Sequence, residues 1–214
     1  MQTKKRIILG SASPRRRELL EQIGISFEVR VSDKEEVYHS LIPEEIVKEL
    51  ALSKAENVAD DLREKQEQVK QISFDKKSNV LLDTIVIGAD TIVVSDGSIL
   101  GKPKDEADAV RMIRSLQGRS HKVYTGVAIL DYDDEGKRKS VVHAVETEVF
   151  VNPMSDEEIR EYAATGEPLD KAGAYGIQGQ FAAYIERIDG DYYNVVGLPV
   201  SYVYRQLKEI AEKD

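Results

Sequence analysis

The sequence predicts an α/β or α+β fold in which helices flank a mixed β-sheet. Apolar runs typical of strands alternate along the chain with segments of helical periodicity. Two strand-like runs are long and flank the loop 133–137, which has the composition of a hairpin loop. The chain has 214 residues, 41% hydrophobic and 32% charged, which suits one globular domain or two small lobes sharing a cleft.

The first third of the chain contains strands, a short helix and a long helix. Ser13 is a good N-cap and proline is favoured at the first helical position, so we expect a helix from Pro14 that Gly24 ends. The other elements predicted here are a strand at 6–9, a strand at 27–31, and a helix at 43–62 that extends further and gives way to a surface loop by residue 79.

The rest of the chain alternates strands and helices. Asp96-Gly97 is a signal for a tight hairpin turn, and Ser155 with Glu158 is the signature of a helix capping box. The predicted elements are strands at 80–94 and 98–100, a helix at 105–116 closed by Gly118, strands at 122–132 and 140–151, a helix at 155–163, a glycine-rich polar segment at 165–180, a strand at 181–188, and a last helix from Leu198-Pro199 through 211.

The overall charge excludes some functions. The formal net charge is −9 and the pI is about 5.0. A protein that binds duplex DNA usually carries a basic face, so this balance argues against general nucleic-acid binding. It allows an anionic small ligand, because a local cluster of arginine and lysine can bind phosphate inside an acidic protein.

Residue counts also limit the chemistry. There is no cysteine, which excludes disulfides, thiolate catalysis and cysteine zinc sites. With three histidines in the chain, a metal is expected on carboxylates and would be Mg or Mn. His121, at a strand start, is interpreted as structural.

The apolar run 7–9 is too short for a signal peptide, and no run approaches the roughly 20 apolar residues of a spanning helix, so we expect a cytoplasmic protein without a membrane segment.

The segment 10–17 is the first candidate for a binding site. A strand, a turn of small residues and a helix start place free backbone N–H groups at a positive helix end, which binds phosphate. The Ser11 hydroxyl and the guanidinium groups of Arg15 and Arg16 add donors. The segment is not a Walker A loop. An ordinary capped helix with solvated arginines is the alternative interpretation.

Asp90 is the second candidate. It lies in Gly88-Ala89-Asp90-Thr91, between two apolar runs, where a carboxylate is costly unless it is paired or binds a metal. An aspartate held at a bulge by backbone hydrogen bonds is the alternative. Lys102 follows the predicted hairpin directly and could point back toward Asp90, although a lysine before proline also marks surface turns.

The glycine-rich stretch 166–179 is the third candidate. Its glycines allow close approach of the backbone to a ligand, and the amide of Gln178 can contact a base edge through both donors and acceptors. A flexible loop is the alternative, against which the interleaved Tyr175 and Ile177 indicate an ordered one.

These motifs, in this order, resemble the Maf family of nucleotide pyrophosphatases. The resemblance runs from about residue 6 to residue 207, and the long glycine-containing motif is highly specific. The matching segments are Ser11-Ala12-Ser13-Pro14-Arg15-Arg16, Leu52-Ser53-Lys54-Ala55, Gly88-Ala89-Asp90-Thr91, Gly101-Lys102-Pro103, 167–179 and Asn194-Val195-Val196-Gly197-Leu198-Pro199.

The resemblance implies a fold and an activity. The fold would be an elongated mixed sheet with a central cleft, similar to inosine triphosphate pyrophosphatases, with residues 1–214 as one domain whose two lobes enclose the cleft. The activity would be hydrolysis of the α–β phosphoanhydride with a divalent metal, on dTTP, UTP and modified pyrimidine nucleotides. A homodimer is expected from the family alone. The stretch 61–83 is longer than in short family members.

The resemblance also assigns roles to single residues. Asp90 would be the proton acceptor, or would hold the metal that activates water, and Glu36 the second metal carboxylate. Thr91 and Gln178 would contact the pyrimidine, and Arg15 would take part in base selection. From the charge of a triphosphate, we further expect the β and γ phosphates to bind Arg15, the N-terminus of the first helix, and the side chains of Ser11, Arg16, Lys54 and Lys102.

Three other functions stay open at this point. One is the same reaction on 7-methyl-GTP or a deaminated purine, against which Gln178 and Arg15 argue. Another is a nucleotide-binding protein that regulates division without turnover, which would not need Asp90 beside Lys102. The third is DNA binding, which the net charge of −9 disfavours.

Overall fold

The computed structural model describes residues 4–35, 37–72, 81–133 and 135–213, with 69–72 described by their backbone alone. Within these ranges a seven-stranded mixed sheet is flanked by helices, as predicted. The strands are β1 (Arg6–Leu9), β2 (Glu28–Val29), β3 (Thr84–Ser95), β4 (Ser98–Leu100), β5 (Ser120–Tyr132), β6 (Arg138–Val151) and β7 (Ile185–Asp189). The α-helices are α1 (Pro14–Gln22), α2 (Pro43–Ile72), α3 (Glu106–Leu116), α4 (Asp156–Ala164), α5 (Tyr192–Val196) and α6 (Val200–Ala211).

The strand order leaves part of one central strand edge open. The order is β2-β1-β3-β5-β6-β7, with β2, β1 and β3 parallel and the later pairs antiparallel. β1 stops at Leu9, opposite Ile87, and β4 pairs with β3 only from Val93 onward. Between these points, in the described chain, β3 has a strand neighbour only on its β5 side. Asp90 lies in this open stretch, opposite Gly126 of β5.

The two faces of the sheet are covered by different helices. Successive side chains of a strand point to opposite faces. Ile8 of β1 and Val86 of β3 pack with Ala51 and Ala55 of α2, whereas Leu9 and its neighbours on the other face join the core formed with α1, α3, α4 and α6. Helix α2 therefore covers one face at the level of β1, β3 and β5.

Two glycines bring α2 close to the sheet. A Cβ atom on Gly88 would lie 2.2 Å from the carbonyl oxygen of Ala51, and one on Gly126 would lie 2.0 Å from that of Val47. No side chain fits at either position, so the helix backbone rests directly on β3 and β5. This close approach determines which side chains of α2 reach the open edge of β3.

Most predicted elements are confirmed, including the Asp96-Gly97 turn, whose residues have φ of 48° and 73°, and the capping box at Ser155. Ser13 occupies the N-cap position of α1 with extended backbone, but its side chain makes no capping hydrogen bond; its N–H instead donates to Ser11 Oγ at 3.3 Å.

No helix in the described part of the chain combines the length and apolar character that a membrane span needs.

Three predicted strands were too long. β2 has two residues, Glu28–Val29, because it pairs only with Ile8 and Leu9 at the sheet edge. β3, which was predicted to start at residue 80, begins at Thr84, because the Thr84 N–H donates to the backbone oxygen of Leu81 and closes a turn there. Residue 80 itself lies outside the described ranges.

The third strand, predicted at 181–188, begins only at Ile185. Gln180–Tyr184 is a 3-10 helix, which buries Phe181 completely against the rings of Tyr162 and Tyr175. The short helix α5 was not predicted. Asp191 caps it by accepting a hydrogen bond from Tyr193 N at 2.8 Å.

Candidate active site

A cleft of about 500 Å³ opens beside the free stretch of β3, between the start of α1, the middle of α2 and the segment 170–179. This volume lies in the range of small-molecule binding sites. Eight side chains predicted for the site line it: Ser11, Arg15, Arg16, Lys54, Asp90, Thr91, Lys102 and Gln178. The ninth, Glu36, lies outside the described residues.

Asp90 is paired with a lysine from α2. Lys54 Nζ lies 2.6 Å from Asp90 Oδ1, and the two side chains are 19% and 17% exposed. β3 continues in regular register with β5 through this point, so Asp90 does not sit at a bulge. The free-energy cost of placing the Asp90 carboxylate between apolar runs is thus offset by the ammonium group of Lys54, 36 residues earlier in the chain.

Arg16 is a buried support of the cleft wall. Its Nε donates to the backbone oxygen of Gly197 at 2.8 Å. Its Nη1 donates to Ser11 Oγ at 2.9 Å, and its Nη2 donates to Thr91 Oγ1 at 3.0 Å. Arg16 therefore joins the loop after β1, strand β3 and the turn after α5, and it fixes two other predicted site residues.

Arg15 faces a carboxylate across the cleft. Its Nη1 lies 3.1 Å from Asp170 Oδ2, while Asp170 Oδ1 accepts from Lys171 Nζ at 2.7 Å. Burial would raise the pKa of Asp170, but the hydrogen bonds from Lys171 and Arg15 outweigh it and lower that pKa. Asp170 is therefore ionised at neutral pH, with one cation on each oxygen.

The hydroxyl of Thr91 has a defined donor and acceptor state. Thr125 Oγ1 donates to the backbone oxygen of Asn194 at 2.9 Å, which uses its only proton. In the 2.9 Å hydrogen bond between the two threonine hydroxyls, Thr91 must therefore be the donor and Thr125 the acceptor. Since Thr91 also accepts from Arg16, it has one acceptor lone pair left for a ligand.

Asn194 links this threonine pair to the interior. Its Nδ2 donates to the oxygen of Val123 at 3.1 Å and to Thr147 Oγ1 at 2.9 Å, and Thr147 Oγ1 donates to the oxygen of Asp191 at 3.0 Å. Asn194 Oδ1 is buried and has no partner among the described residues. The network anchors α5, and with it the Gly197 carbonyl that binds Arg16, to β5 and β6.

Lys102 and Gln178 are the exposed members of the site. Lys102 lines the same cleft as Asp90, but it forms no ion pair with any residue that the structure describes. Lys102 follows the end of β4, where Gly173 N donates a hydrogen bond to the backbone oxygen of Gly101 at 3.0 Å. Both side chains are therefore accessible to a bound ligand.

The segment 166–180 is an ordered scaffold. Glu167 accepts hydrogen bonds from Tyr162 Oη at 3.0 Å and Gln180 N at 3.1 Å. A Cβ on Gly179 would lie 2.0 Å from the Glu167 carboxylate. Burial, followed by the Glu167 hydrogen bond, raises the pKa of Tyr162 and keeps its hydroxyl a donor. Glycine is therefore needed at position 179 because the Glu167 side chain packs directly against its backbone.

Tyr175 connects the lining of the cleft to the buried ring of His121. Tyr175 lines the cleft, and its hydroxyl lies 2.7 Å from His121 Nε2. Burial lowers the pKa of His121 from 6.5 to about 4, so the ring is neutral at physiological pH. His121 has the structural position that the sequence suggested.

The cleft is basic inside an acidic protein. Among the described residues that line it, six are basic and two, Asp90 and Asp170, are acidic. No group of three or more potential metal ligands occurs among the described side chains. Mg²⁺ binds with one or two protein carboxylates when a substrate provides phosphate oxygens, so Asp90 fits that mode of binding.

Several cleft residues were not singled out from the sequence as site residues. Lys34, Asn57 and Lys171 line the cleft, and Thr125 supports Thr91 from β5. Asp170 and Lys171 belong to a motif that was recognised, but their pairing with Arg15 depends on the fold. Lys34 and Asn57 carry no local signal, because a lone lysine or asparagine on a polar surface is common.

Comparison with known proteins gives consistent matches over almost the whole chain. The family model described as Maf-like protein matches residues 6–210. The chain is 46% identical over 204 residues to the dTTP/UTP pyrophosphatase of Agathobacter rectalis, covering 95% of this chain and 97% of that protein. It is 47% identical over 199 residues to the dTTP/UTP pyrophosphatase of Dictyoglomus turgidum, covering 92% of each.

A weaker match is found among solved structures. The Staphylococcus aureus Ham1 protein covers 68% of this chain and 72% of its own, with 15% identity and a TM-score of 0.37. A likeness at this level carries no conclusion about the chemistry of this chain.

Proposed function

Because the chain belongs to the Maf-like protein family, we propose that it is a nucleoside triphosphate pyrophosphatase that converts dTTP and UTP to the monophosphate and pyrophosphate. The relatives named dTTP/UTP pyrophosphatase match 92% or more of the chain. The observation that carries the proposal is the Lys54–Asp90 pair in a cleft where basic side chains outnumber acidic ones.

The cations of the cleft suit a triphosphate. Lys102 is exposed and has no ion pair with a described residue, and Arg15 is bound through Nη1 to a carboxylate that a phosphate can replace. The N-terminus of α1 adds backbone N–H groups, of which that of Ser13 donates to Ser11 Oγ. We assign these groups and Lys54 to the β and γ phosphates, where negative charge develops as pyrophosphate leaves.

Asp90 is the group assigned to the chemistry. Water attacks the α-phosphorus, the bond from that phosphorus to the bridging oxygen breaks, and pyrophosphate leaves with the electron pair. Asp90 accepts the proton of the attacking water. Asp90 and Glu36 are the carboxylates that would hold a divalent cation, Mg or Mn, which would supply charge neutralisation and activation of water.

The acceptor state of Thr91 supports a class of base. Its free lone pair can bind a ring N–H group, which uracil and thymine present at N3 and guanine and hypoxanthine at N1. Cytosine and adenine present an acceptor at the equivalent position. The exposed amide of Gln178, with both donors and acceptors, can bind the adjacent carbonyl of the base.

The experiment that tests the proposal measures pyrophosphate release from UTP, dTTP, CTP, 7-methyl-GTP and ITP with Mg or Mn. We expect UTP and dTTP to be the best substrates and CTP to be poor. If 7-methyl-GTP or ITP were preferred, the reaction would stand and the base assignment would be wrong. Release from none of the five would contradict the proposed activity and favour a binding protein without turnover.

Two further expectations concern the protein in the cell. We propose that it works in the cytoplasm and as a homodimer. Light scattering would test the second, with a mass near twice the 24.0 kDa of one chain as the expected result.

A further inference from the structure

Asp170 forms an ion-pair bridge across the cleft, which we call the Asp170 bridge. Its two carboxylate oxygens bind Arg15 Nη1 at 3.1 Å and Lys171 Nζ at 2.7 Å. Arg15 belongs to the first turn of α1, and Asp170 and Lys171 belong to the segment on the opposite wall. The bridge thus joins two walls of the proposed substrate site.

The two cations are more covered than the anion that joins them. The side chains of Arg15 and Lys171 are 26% and 15% exposed, whereas that of Asp170 is 59% exposed. A carboxylate this exposed leaves its partners at little cost, because an exposed ion pair contributes little free energy and water solvates the released charge. A phosphate entering the cleft can therefore replace it at both cations.

Arg15 is bound in a way that favours replacement. It meets Asp170 through Nη1 alone, and the structure shows no other hydrogen bond from its guanidinium to a described residue. Guanidinium groups bind phosphate best with two parallel hydrogen bonds, so a phosphate offers Arg15 a better partner than the single contact. Arg16, which donates to Ser11, Thr91 and the Gly197 carbonyl, has no such freedom.

Lys171 is held in place independently of Asp170. Its Nζ also donates to the backbone oxygen of Glu167 at 2.6 Å, and its Cε would lie 2.7 Å from a Cβ at position 176, where the chain has glycine. The ammonium group therefore stays in the cleft when the carboxylate moves away.

We propose that Asp170 is a built-in competitor for phosphate, which occupies Arg15 and Lys171 in the free enzyme and must be displaced by the ligand. The proposal rests on the proposed function, since it assumes that the cleft receives phosphate groups. A triphosphate is held by contacts to its base and to all three phosphates while it displaces the carboxylate, whereas each product keeps only part of these contacts. Asp170 thereby weakens product binding and favours release.

The test measures the Kd of inorganic pyrophosphate and of UMP by calorimetry, with the full-length wild-type protein and Asp170→Asn. We expect the neutral variant to bind pyrophosphate about tenfold more tightly, because the cations lose their internal counter-ion, and to bind UMP with a smaller gain, because UMP lacks the β and γ phosphates assigned to Arg15. Asp156→Asn is the matched control. Asp156 is 60% exposed and paired with Arg114 at 2.7 Å, but it does not line the cleft, so its removal should leave both Kd values unchanged.

Further variants separate competition from a structural role. Asp170→Glu keeps the charge and should bind products as weakly as the wild type does. Asp170→Ser is a second neutral variant in case the asparagine protein folds poorly. In an Arg15→Met background, the gain from Asp170→Asn should shrink, because one of the two displaced contacts is already gone.

The result that overturns the proposal is an unchanged or higher Kd for pyrophosphate in the neutral variants. This outcome is distinct from a failure of the proposed function, which would appear as absence of pyrophosphate release by the wild type. Product binding is measured without turnover and can be tested in either case.

Discussion

Arg15 and Arg16 are adjacent in sequence and have different environments. The Arg16 side chain turns into the protein and binds Ser11, Thr91 and the Gly197 carbonyl, while Arg15 stays at the cleft surface opposite Asp170. Adjacent positions on a helix point about 100° apart, and in α1 this turn directs Arg16 into the interior and leaves Arg15 at the cleft. The two guanidinium groups are therefore suited to different tasks, Arg16 to support and Arg15 to ligand binding.

This difference gives a first prediction. Arg16→Met should lower the free energy of unfolding by about 3 kcal/mol, because buried groups lose charged hydrogen-bond partners. Arg15→Met should change it by less than about 1 kcal/mol, since an exposed ion pair contributes little. Urea unfolding of both variants checks this. Equal stability losses would contradict the assignment of Arg16 as the supporting residue.

A second prediction concerns Asp90. Asp90→Asn should lower turnover roughly 10²–10⁴-fold with substrate binding nearly intact, which is the range for loss of a general base. The amide keeps the shape of the side chain opposite Lys54. Steady-state kinetics with UTP and calorimetric binding of an inert triphosphate analogue would measure the two effects separately. Turnover close to wild type would remove Asp90 from the chemistry.

Helix α2 is the element that assembles the site. It crosses from β5 to β3, with its backbone against Gly126 and Gly88, and continues to Gly10, where a Cβ would lie 3.3 Å from Val58. Lys54 lies between these contacts and reaches Asp90. The distance between Lys54 and Asp90 thus depends on how closely the helix packs on the sheet.

The prediction at this scale is for Gly126→Ala. The new methyl group would lie 2.0 Å from the carbonyl oxygen of Val47, so the helix must shift, with a loss of roughly 1–3 kcal/mol in stability and lower activity. Gly101→Ala is the control for stability, because a Cβ there meets no atom within 4 Å. Thermal unfolding would compare them. A fully stable Gly126→Ala protein would show that α2 does not need this contact.

At the scale of the whole molecule, an acidic protein encloses a basic cleft. The formal net charge of the chain is −9, while basic residues dominate the described lining of the cleft. The overall charge discourages binding to nucleic acid, and the local field attracts a small polyanion. This division is consistent with a nucleotide as the ligand.

Global stability should depend on pH through His121. Its pKa is lowered in the folded state from 6.5 to about 4 by burial, so below pH 6.5 the unfolded chain takes up the proton first. Stability should therefore fall as the pH drops from about 6.5 to about 4, by about 3 kcal/mol from this residue alone. Above pH 6.5 it contributes no pH dependence.

The measurement is the free energy of unfolding against pH for the wild type and His121→Gln. The glutamine keeps a polar group near Tyr175 and does not titrate. The wild-type curve should fall more steeply than the variant curve between pH 6.5 and 4. Parallel curves would mean that the buried imidazole does not control this part of the profile.

Much of the fold could be predicted because its signals are local. The Asp96-Gly97 turn and the Ser155 capping box depend on a few neighbouring residues, and both are confirmed. Residues 181–184 were wrongly predicted as strand, since burial of Phe181 against the ring of Tyr162 prevailed over strand propensity. The family was also predicted, from motif order, and the family model confirms it.

The sequence by itself determined the mixed α/β architecture, the family and the side chains available for phosphate and proton chemistry. The tertiary structure alone decided how they combine: Lys54 with Asp90, Arg16 with Ser11 and Thr91, and Asp170 with Arg15. Local signals arise from backbone geometry over a few residues. These pairs join positions up to 155 residues apart, and they form only because strand register and the glycine contacts of α2 bring the elements together.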